Sequence, residues 1–323
     1  MKKIISLLLS AAVLLVCFVA CGGEKVPTEK TNVAVAALKG PTGMGMVKLM
    51  ENQSVYNNYD FTLATAPTEI SGLIANGSVQ IAACPLNLAA ALYKKTNGAI
   101  KIIAVNTLGT LYILENGETV NSLADLKGKT IVASGQGATP EYVLNYLLKK
   151  NKLDKEKDVK IEWKSEHSEV ATLIASGKAD IALLPEPNVT AVMTQNADVR
   201  IAVDMTKEWE KTSDGQLAMG CLIATKDYVE NNTDSLKAFL DEYKRSVNLV
   251  NTNSDEICQL IADKEIVASA AVAKKAIPNC NIVCITGDEM KNIASVNFKM
   301  LFKADPQSVG GELPDESIYF TQE

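Results

Sequence analysis

A short internal repeat constrains the fold of this chain more than any other feature. Residues 69–85 read EISGLIANGSVQIAACP, and residues 169–185 read EVATLIASGKADIALLP. The two segments align without a gap at an offset of 100, with eight identities in 17 positions. Each predicts a helix, a glycine that ends it, a buried strand and a proline-containing turn. Chance similarity between two α/β units explains the glycine and the alternation, but explains the matching Glu and Pro less well. Because this spacing is too long for a solenoid, the repeat predicts two similar lobes.

The surrounding sequence alternates short apolar strands with helical patterns. In the first half we predict strands over 33–38, 59–65, 79–84 and 100–105, and helices over 43–51, 69–76 and 87–96. In the second half we predict strands over 130–134, 159–164, 180–184 and 199–203, and helices over 140–150, 168–176 and 187–195. The strands are apolar throughout, which is typical of parallel strands covered by helices on both faces. The expected fold class is α/β, with two doubly wound lobes, mainly parallel sheets and a helical C-terminal region that extends to about Lys303.

Composition and charge exclude several classes of function. The net charge is −6, and the 32 basic residues include only two arginines, Arg200 and Arg245. A nucleic-acid-binding protein normally carries a basic face, and nothing in this chain resembles one. The single histidine, His167, excludes three-histidine metal sites and histidine-rich catalytic sites by count. We therefore expect no metal, no cofactor and no enzymatic activity.

The first residues are typical of a secretory signal. Lys2 and Lys3 precede an apolar run from residue 4 to residue 20, and a small residue, Ala20, precedes Cys21. This order resembles a bacterial lipoprotein signal, which implies cleavage after residue 20 and a lipid on Cys21. An uncleaved transmembrane anchor is the alternative, although a run of about seventeen residues is at the short limit for a span. Residues 21–32 are polar and predict a flexible tether.

Five cysteines follow Cys21, and their odd number prevents all of them from pairing within the chain. They are Cys84, Cys221, Cys258, Cys280 and Cys284. The close pair at 280 and 284 is weak support for zinc, because no second pair of ligands lies nearby. We interpret these residues as buried small hydrophobic side chains. The formation of one disulfide among them remains an open alternative.

Three motifs, in order along the chain, resemble a known family. The first strand runs into Gly40-Pro41-Thr42-Gly43, the repeat supplies Glu-x-x-x-Leu-Ile-x-x-Gly, and residues 122–129 read SLADLKGK. Together with the lipoprotein signal, they make the chain similar to substrate-binding lipoproteins of the nitrate/sulfonate/taurine (NitT/TauT) class of ABC importers, which have the type II periplasmic-binding-protein fold.

The resemblance implies a specific domain organisation. Lobe 1 is expected over 33–106 and 222–323 and lobe 2 over 107–221, with crossovers near 105–110 and 219–223. It also implies an extracytoplasmic monomer, anchored to the membrane by lipid, that captures a small ligand between its lobes. The protein would deliver that ligand to an ABC permease and its ATPase.

Candidate ligand-binding residues lie in the loops that follow the predicted strands. Ligands of open parallel sheets bind beyond the carboxyl ends of the strands, where helix N-termini offer free N–H groups. The candidates are Thr42, Gly43, Met44, Thr68, Leu86, Asn87, Asn106, Thr107, Gly137, Ala138, Thr139, His167, Glu186 and Asn188. For Thr68, Asn87 and Thr139, a role as simple helix caps is an equally good interpretation. His167 also fits a surface position at a helix start, and Glu186 also fits a solvated charge at the rim.

Some features of these loops favour an anionic ligand and others oppose it. Helix N-termini favour anions, but both arginines lie far from the loops in sequence, and Glu186 would repel an anion. Aromatic residues make up only 5% of the chain, which argues against sugar stacking. We expect a small organic ligand with a polar head and an apolar body, and a sulfonate and a heterocyclic vitamin precursor both remain open.

Two other functions are compatible with the same scaffold. The pyrimidine-precursor synthases of yeast thiamine biosynthesis are similar in fold and use His and Cys chemistry, which one histidine and no cysteine cluster argue against. A surface sensor or adhesin that kept the fold is the other alternative.

Overall fold

The protein, described from a computed structural model over residues 29–213 and 215–321, is built on two β-sheets. The first sheet has six strands in the order β11-β4-β10-β3-β1-β2. These strands are β1 (Thr31–Leu38), β2 (Asn57–Ala64), β3 (Ile81–Pro85), β4 (Ile100–Leu108), β10 (Ala218–Thr225) and β11 (Ile282–Ile285). The second sheet has five strands in the order β7-β6-β8-β5-β9. They are β5 (Leu111–Asn116), β6 (Thr130–Ser134), β7 (Lys160–Lys164), β8 (Ile181–Pro185) and β9 (Val199–Asp204).

Helices cover these sheets and form two lobes. Those that precede β4 are α1 (Pro41–Met44), α2 (Pro67–Ala75) and α3 (Leu86–Lys95). Those of the second lobe are α4 (Thr139–Lys150), α5 (His167–Ala175), α6 (Asn188–Gln195) and α7 (Met205–Glu210). The C-terminal helices are α8 (Lys226–Asn231), α9 (Thr233–Asn251), α10 (Asp255–Asp263), α11 (Ala270–Ala276) and α12 (Gly287–Ala304).

The internal repeat corresponds to the same structural unit in both lobes. Helices α2 and α5 begin and end exactly 100 residues apart, and so do strands β3 and β8. Gly77 and Gly177 follow the two helices with φ of 73° and 70°. A left-handed residue at this position ends a helix, and glycine adopts that backbone without a Cβ clash. The prediction of two similar α/β lobes is confirmed.

The sheets are mixed rather than mainly parallel, because one crossing strand is inserted antiparallel into each. Strand β10 pairs antiparallel with β3 and β4, and β5 pairs antiparallel with β8 and β9. The apolar pattern did not reveal β5 or the short β11. An antiparallel strand buried on both faces has the same composition as its parallel neighbours. Strand β4 continues to Leu108 and β10 begins at Ala218, each a few residues beyond the limits of 106 and 222 expected for lobe 1.

The C-terminal helices return to lobe 1, as the family resemblance implied. Helix α9 buries Phe239 and Tyr243 in a hydrophobic core shared with the first sheet. The expected helix over 43–51 is instead α1 followed by a 3₁₀ turn at Leu49–Glu51. Among the described residues, the five cysteines after Cys21 form no disulfide with one another, and four of them are fully buried.

The signal segment and Cys21 lie outside the described residues. Across the part of the chain that the structure does describe, no helix is long and apolar enough to cross a membrane. In that same part, no cluster of His, Cys, Asp and Glu side chains is placed to hold a metal ion.

Candidate ligand-binding site

The two lobes face each other across the carboxyl ends of their parallel strands, and side chains bridge them directly. The Thr139 hydroxyl of lobe 2 donates to Asn87 Oδ1 of lobe 1 at 3.0 Å. Asn87 Nδ2 in turn donates to the Gly137 carbonyl at 3.3 Å. Beside them, a Cβ built on Gly40 would lie 3.8 Å from Pro187 Cδ of the other lobe. These contacts describe a closed arrangement, and Asn87 and Thr139 connect the lobes rather than capping their own helices.

Asn106 is the least satisfied polar side chain in this region. It is 0% exposed, and within the described chain neither its Nδ2 nor its Oδ1 has a hydrogen-bonding partner. The adjacent Thr107 hydroxyl is also buried and unpartnered. An unpaired buried amide costs about 1–3 kcal/mol, so such a group in a native structure requires an explanation. Asn106 lies near the end of β4, where the lobes join.

Thr42 and Gly220 complete the surroundings of Asn106. A Cβ built on Gly220 would lie 2.6 Å from Asn106 Oδ1, 3.0 Å from Thr42 Cγ2 and 3.4 Å from Thr107 Cβ. Only glycine fits there, because any side chain would displace the amide. Gly220 was not among the predicted site residues, although a glycine inside an apolar strand is a known sign of close approach.

Several other predicted residues lie in the protein core or on the surface. Met44 and Leu86 are fully buried and pack in the hydrophobic cores of lobe 1. Gly43 packs against β1, because a Cβ there would lie 2.8 Å from the Leu38 carbonyl oxygen. Thr68 is exposed in the first turn of α2. The structure does not bring these four together with Asn106 as a set of polar ligand contacts.

In lobe 2, the predicted residues lie at three helix starts. Ala138 precedes α4, and Gly137 is exposed with φ of 74°. Asn188 is half-buried at the first position of α6. His167, the first residue of α5, is half-buried, and its Nδ1 lies 2.6 Å from the Ser134 hydroxyl at the end of β6. Burial lowers the pKa of His167 to about 4, so the ring is neutral at pH 7.

Glu186 is a buried carboxylate rather than a solvated charge at the rim. It is 2% exposed and accepts hydrogen bonds from the Thr190 N–H at 3.1 Å and the Thr190 hydroxyl at 3.0 Å. Burial raises the pKa of its carboxyl, and hydrogen bonding from Thr190 and from Asn279 of lobe 1 offsets part of that rise. Tyr112, which the sequence did not indicate, lies close enough that burial and the charges of Asp204 and Glu186 raise its pKa to about 12.

Neither arginine contributes a positive charge to the cleft. Arg245 is exposed on α9. Arg200 lies at the start of β9, at the sheet edge opposite the cleft, and its Nη2 binds Glu115 Oε2 at 2.6 Å. Its guanidinium also donates to the carbonyls of Gly117 at 2.8 Å and Val120 at 2.6 Å. The role of Arg200 is therefore to neutralise a buried carboxylate inside lobe 2.

We expect the Arg200→Met variant to lose about 1–3 kcal/mol of folding stability, because Glu115 then keeps a buried charge without its partner. Urea denaturation measures this loss. Ligand affinity should stay unchanged, and a reduced affinity in the folded variant would contradict the assignment of Arg200 to a structural role.

The pH dependence of the Arg200 variant provides a further check. Burial alone would raise the pKa of Glu115, but hydrogen bonds from Thr119 and Val120 and the charge of Arg200 lower it overall. A lowered carboxyl pKa stabilises the fold above the unfolded-state pKa, and that stability is lost as the pH falls through the folded-state pKa. The difference in unfolding free energy between Arg200→Met and the unmodified protein should therefore become smaller as the pH falls.

Comparisons with known proteins agree with this architecture. Residues 62–257, more than half of the chain, match the model of the family described as NMT1/THI5 like. Over 140 residues the chain is 26% identical to YtlA of Bacillus subtilis (strain 168), a match that spans 43% of this chain and 40% of YtlA. The curated relative is therefore matched over less than half of its length.

Solved structures match over nearly the whole described chain. An ABC transporter protein from Parabacteroides distasonis aligns with a TM-score of 0.77 and 22% identity, covering 91% of this chain and 100% of that one. The periplasmic aliphatic sulphonate binding protein SsuA of Escherichia coli aligns with a TM-score of 0.71 and 15% identity, covering 91% and 94%. The names of these similar proteins refer to binding and transport. This chain belongs to the NMT1/THI5-like family and has the two-lobe fold of type II periplasmic binding proteins.

Proposed function

We propose that the protein is the extracytoplasmic solute-binding component of an ABC importer, and that it closes its two lobes around one small organic molecule. The observation that carries the proposal is the amide of Asn106 at the junction of the lobes, which is fully buried and has no hydrogen-bonding partner among the described residues. The family match and the solved relatives that are described as transport or binding proteins support it. Closure around ligand uses the contacts that Asn87 and Thr139 make across the cleft.

The lipid anchor, the permease partner and the monomeric state are parts of the same proposal. The signal pattern that precedes Cys21 supports attachment to the membrane through a lipid on its sulfur. Mass spectrometry of the N-terminal peptide from membrane-extracted protein tests this attachment. An N-terminal peptide that retains residues 1–20 and carries no lipid on Cys21 would contradict it.

A ligand screen tests the central claim. The purified protein, refolded to remove any co-purified molecule, is heated with representatives of several classes: sulfonates, nitrate, pyrimidines, flavins, nucleosides and amino acids. A ligand present at a hundred times its Kd stabilises the folded state by about 2.7 kcal/mol, which gives a clear rise in Tm. A protein that no class stabilises would favour the alternative of a surface sensor or adhesin that kept the fold.

Asn106→Leu is expected to abolish ligand stabilisation while leaving the ligand-free protein as stable as before, or more stable by about 1–3 kcal/mol. Leucine has nearly the shape of asparagine, and the substitution removes an amide that has no partner in the described chain. Urea denaturation, with and without the ligand identified in the screen, measures both effects.

Asn297→Leu is the matched control for Asn106→Leu. Asn297 is equally buried, but its Oδ1 accepts from the Ala218 N–H at 3.1 Å and its Nδ2 donates to the Gln216 carbonyl at 2.8 Å. This variant should therefore be destabilised, because leucine leaves backbone groups unpaired. Equal destabilisation by the two substitutions would show that Asn106 is structural.

A further inference from the structure

We infer that the C-terminal turn, the 3₁₀ turn Pro306–Val309 that follows α12, positions the side chain through which the two lobes close. The Ser308 carbonyl of this turn orients the amide of Asn87, and that amide then bonds lobe 2. The inference rests on the proposed function and specifies how its closed state is held.

The amide of Asn87 has partners in both lobes. Its Oδ1 accepts from the Thr139 hydroxyl of lobe 2 at 3.0 Å. Its Nδ2 donates to two carbonyls, that of Gly137 in lobe 2 at 3.3 Å and that of Ser308 in lobe 1 at 3.3 Å. Of these three partners, only Ser308 stays with Asn87 when the lobes separate.

The Ser308 carbonyl decides which way the amide faces. A side-chain amide carries its acceptor and its donors on different branches, so it can present either one to a given neighbour. With Nδ2 turned to the Ser308 carbonyl, Oδ1 faces the Thr139 hydroxyl. The reverse orientation would set Oδ1 against the carbonyls of Ser308 and Gly137, which have no hydrogen to donate. The turn therefore holds Asn87 in its bridging orientation before the lobes meet.

The turn is packed onto the helix that carries Asn87. Asn87 is the second residue of α3, and a Cβ built on Gly310 would lie 3.1 Å from Ala91 Cα on that helix. Gly310 has φ of 87°, which glycine adopts without a Cβ clash. Ser308 is 1% exposed, and its hydroxyl donates to the Asp305 carbonyl at 2.6 Å. The turn and α3 therefore form one packed unit, which keeps the Ser308 carbonyl beside the amide.

Helix α4 of lobe 2 lies against the same segment. Burial and the charges of Glu141 and Asp305 raise the pKa of the Tyr142 hydroxyl on α4, so Asp305 is close to this helix. Helix α4 also packs against α12, which leads into the turn. The turn therefore lies where the two lobes meet.

Hydrogen–deuterium exchange of the ligand-free protein, followed by mass spectrometry, tests the inference. In Gly310→Ala the new methyl group meets the backbone of Ala91 and displaces the turn. We expect the amides of residues 135–142 in lobe 2 to exchange at least about threefold faster, because loss of a bridging hydrogen bond favours the open state.

Gly311→Ala is the matched control for Gly310→Ala. Its φ of 91° imposes the same backbone strain. Its Cβ, however, would lie 3.6 Å from Gln307 Nε2, which is an ordinary contact. Exchange over residues 135–142 should therefore stay as it is in the unmodified protein.

Two variants of Asn87 show whether the turn acts through the amide. Asn87→Ala should itself speed exchange over residues 135–142, and adding Gly310→Ala to it should give no further increase there. Asn87→Asp does not depend on a change in the turn: it keeps an acceptor for Thr139 but sets a carboxylate oxygen against the Ser308 carbonyl. It too should speed exchange in lobe 2.

Three results would count against the inference. Faster exchange in Gly310→Ala that is confined to α3 and residues 305–311 would overturn it, and so would an equal further increase in the Asn87→Ala background. Both results leave the proposed function intact. Unchanged exchange over residues 135–142 in both Asn87 variants would show that the lobes do not close through this contact, and the closure stated in the proposed function would then fail with the inference.

Discussion

Acidification from pH 6.5 to pH 4 is expected to cost the folded protein about 3 kcal/mol through His167 alone. Burial lowers the pKa of this ring from 6.5 to about 4. In that interval the unfolded chain binds a proton that the folded protein does not bind. Stability is therefore fully present above pH 6.5 and is lost as the pH falls, at about 1.4 kcal/mol per unit. Urea denaturation at intervals across this range measures the slope.

His167→Gln separates this effect from the titration of carboxylates. Because the chain has a single histidine, no other imidazole contributes to the difference between the two proteins. Glu186 acts in the opposite direction, since its raised pKa favours the folded state as the pH falls, but it is present in both. Parallel stability curves for the two proteins would show that the ring of His167 is protonated as easily when folded as when unfolded.

Phe239→Ala is expected to destabilise the protein by about 3–5 kcal/mol, enough to unfold a large fraction of many domains of this size. Phe239 is fully buried on α9, stacks on Tyr243 with ring centroids 6.2 Å apart, and meets the edge of Tyr59 at 6.0 Å. Truncation removes these contacts and leaves a cavity between the C-terminal helices and the first sheet. Urea denaturation followed by circular dichroism measures the change.

Leu249→Ala on the same helix is the control for Phe239→Ala. Leu249 is 43% exposed, so its truncation should change stability by less than about 0.5 kcal/mol. If both variants were equally stable, α9 would not be an integral part of the lobe 1 core.

Sequence patterns predicted the helices and parallel strands of this fold well, because each helix–strand unit is specified by neighbouring residues. The repeat placed α2 and α5 within two residues of their observed starts, since a glycine in the left-handed region ends each helix wherever the lobe lies. Strand β5 was missed because nothing local distinguishes a crossing strand from its neighbours. Its place between β8 and β9 depends on residues 65 or more positions away in sequence.

In the candidate site, too, features that depend on local sequence were predicted and features that depend on distant residues were not. Asn106 and Glu186 were predicted because each follows or ends a strand at the carboxyl edge. Their surroundings were not predictable, because they depend on how the two lobes meet. The Asn106 amide has no partner in the described part of the chain, and Glu186 is buried. Gly220 and Asn279 were missed for the same reason, because both reach the cleft from the returning half of the chain.

The position of the crossing strand β10 makes the pairings of the first sheet more distant in sequence than those of the second. It lies between β3 and β4, so the first sheet stays divided until residues 218–225 are available, although its other main strands precede residue 109. The second sheet is drawn from one continuous stretch, Leu111 to Asp204. Pairings between residues that are distant in sequence form slowly. We therefore expect lobe 1, which contains the first strand of the chain, to complete its sheet after lobe 2.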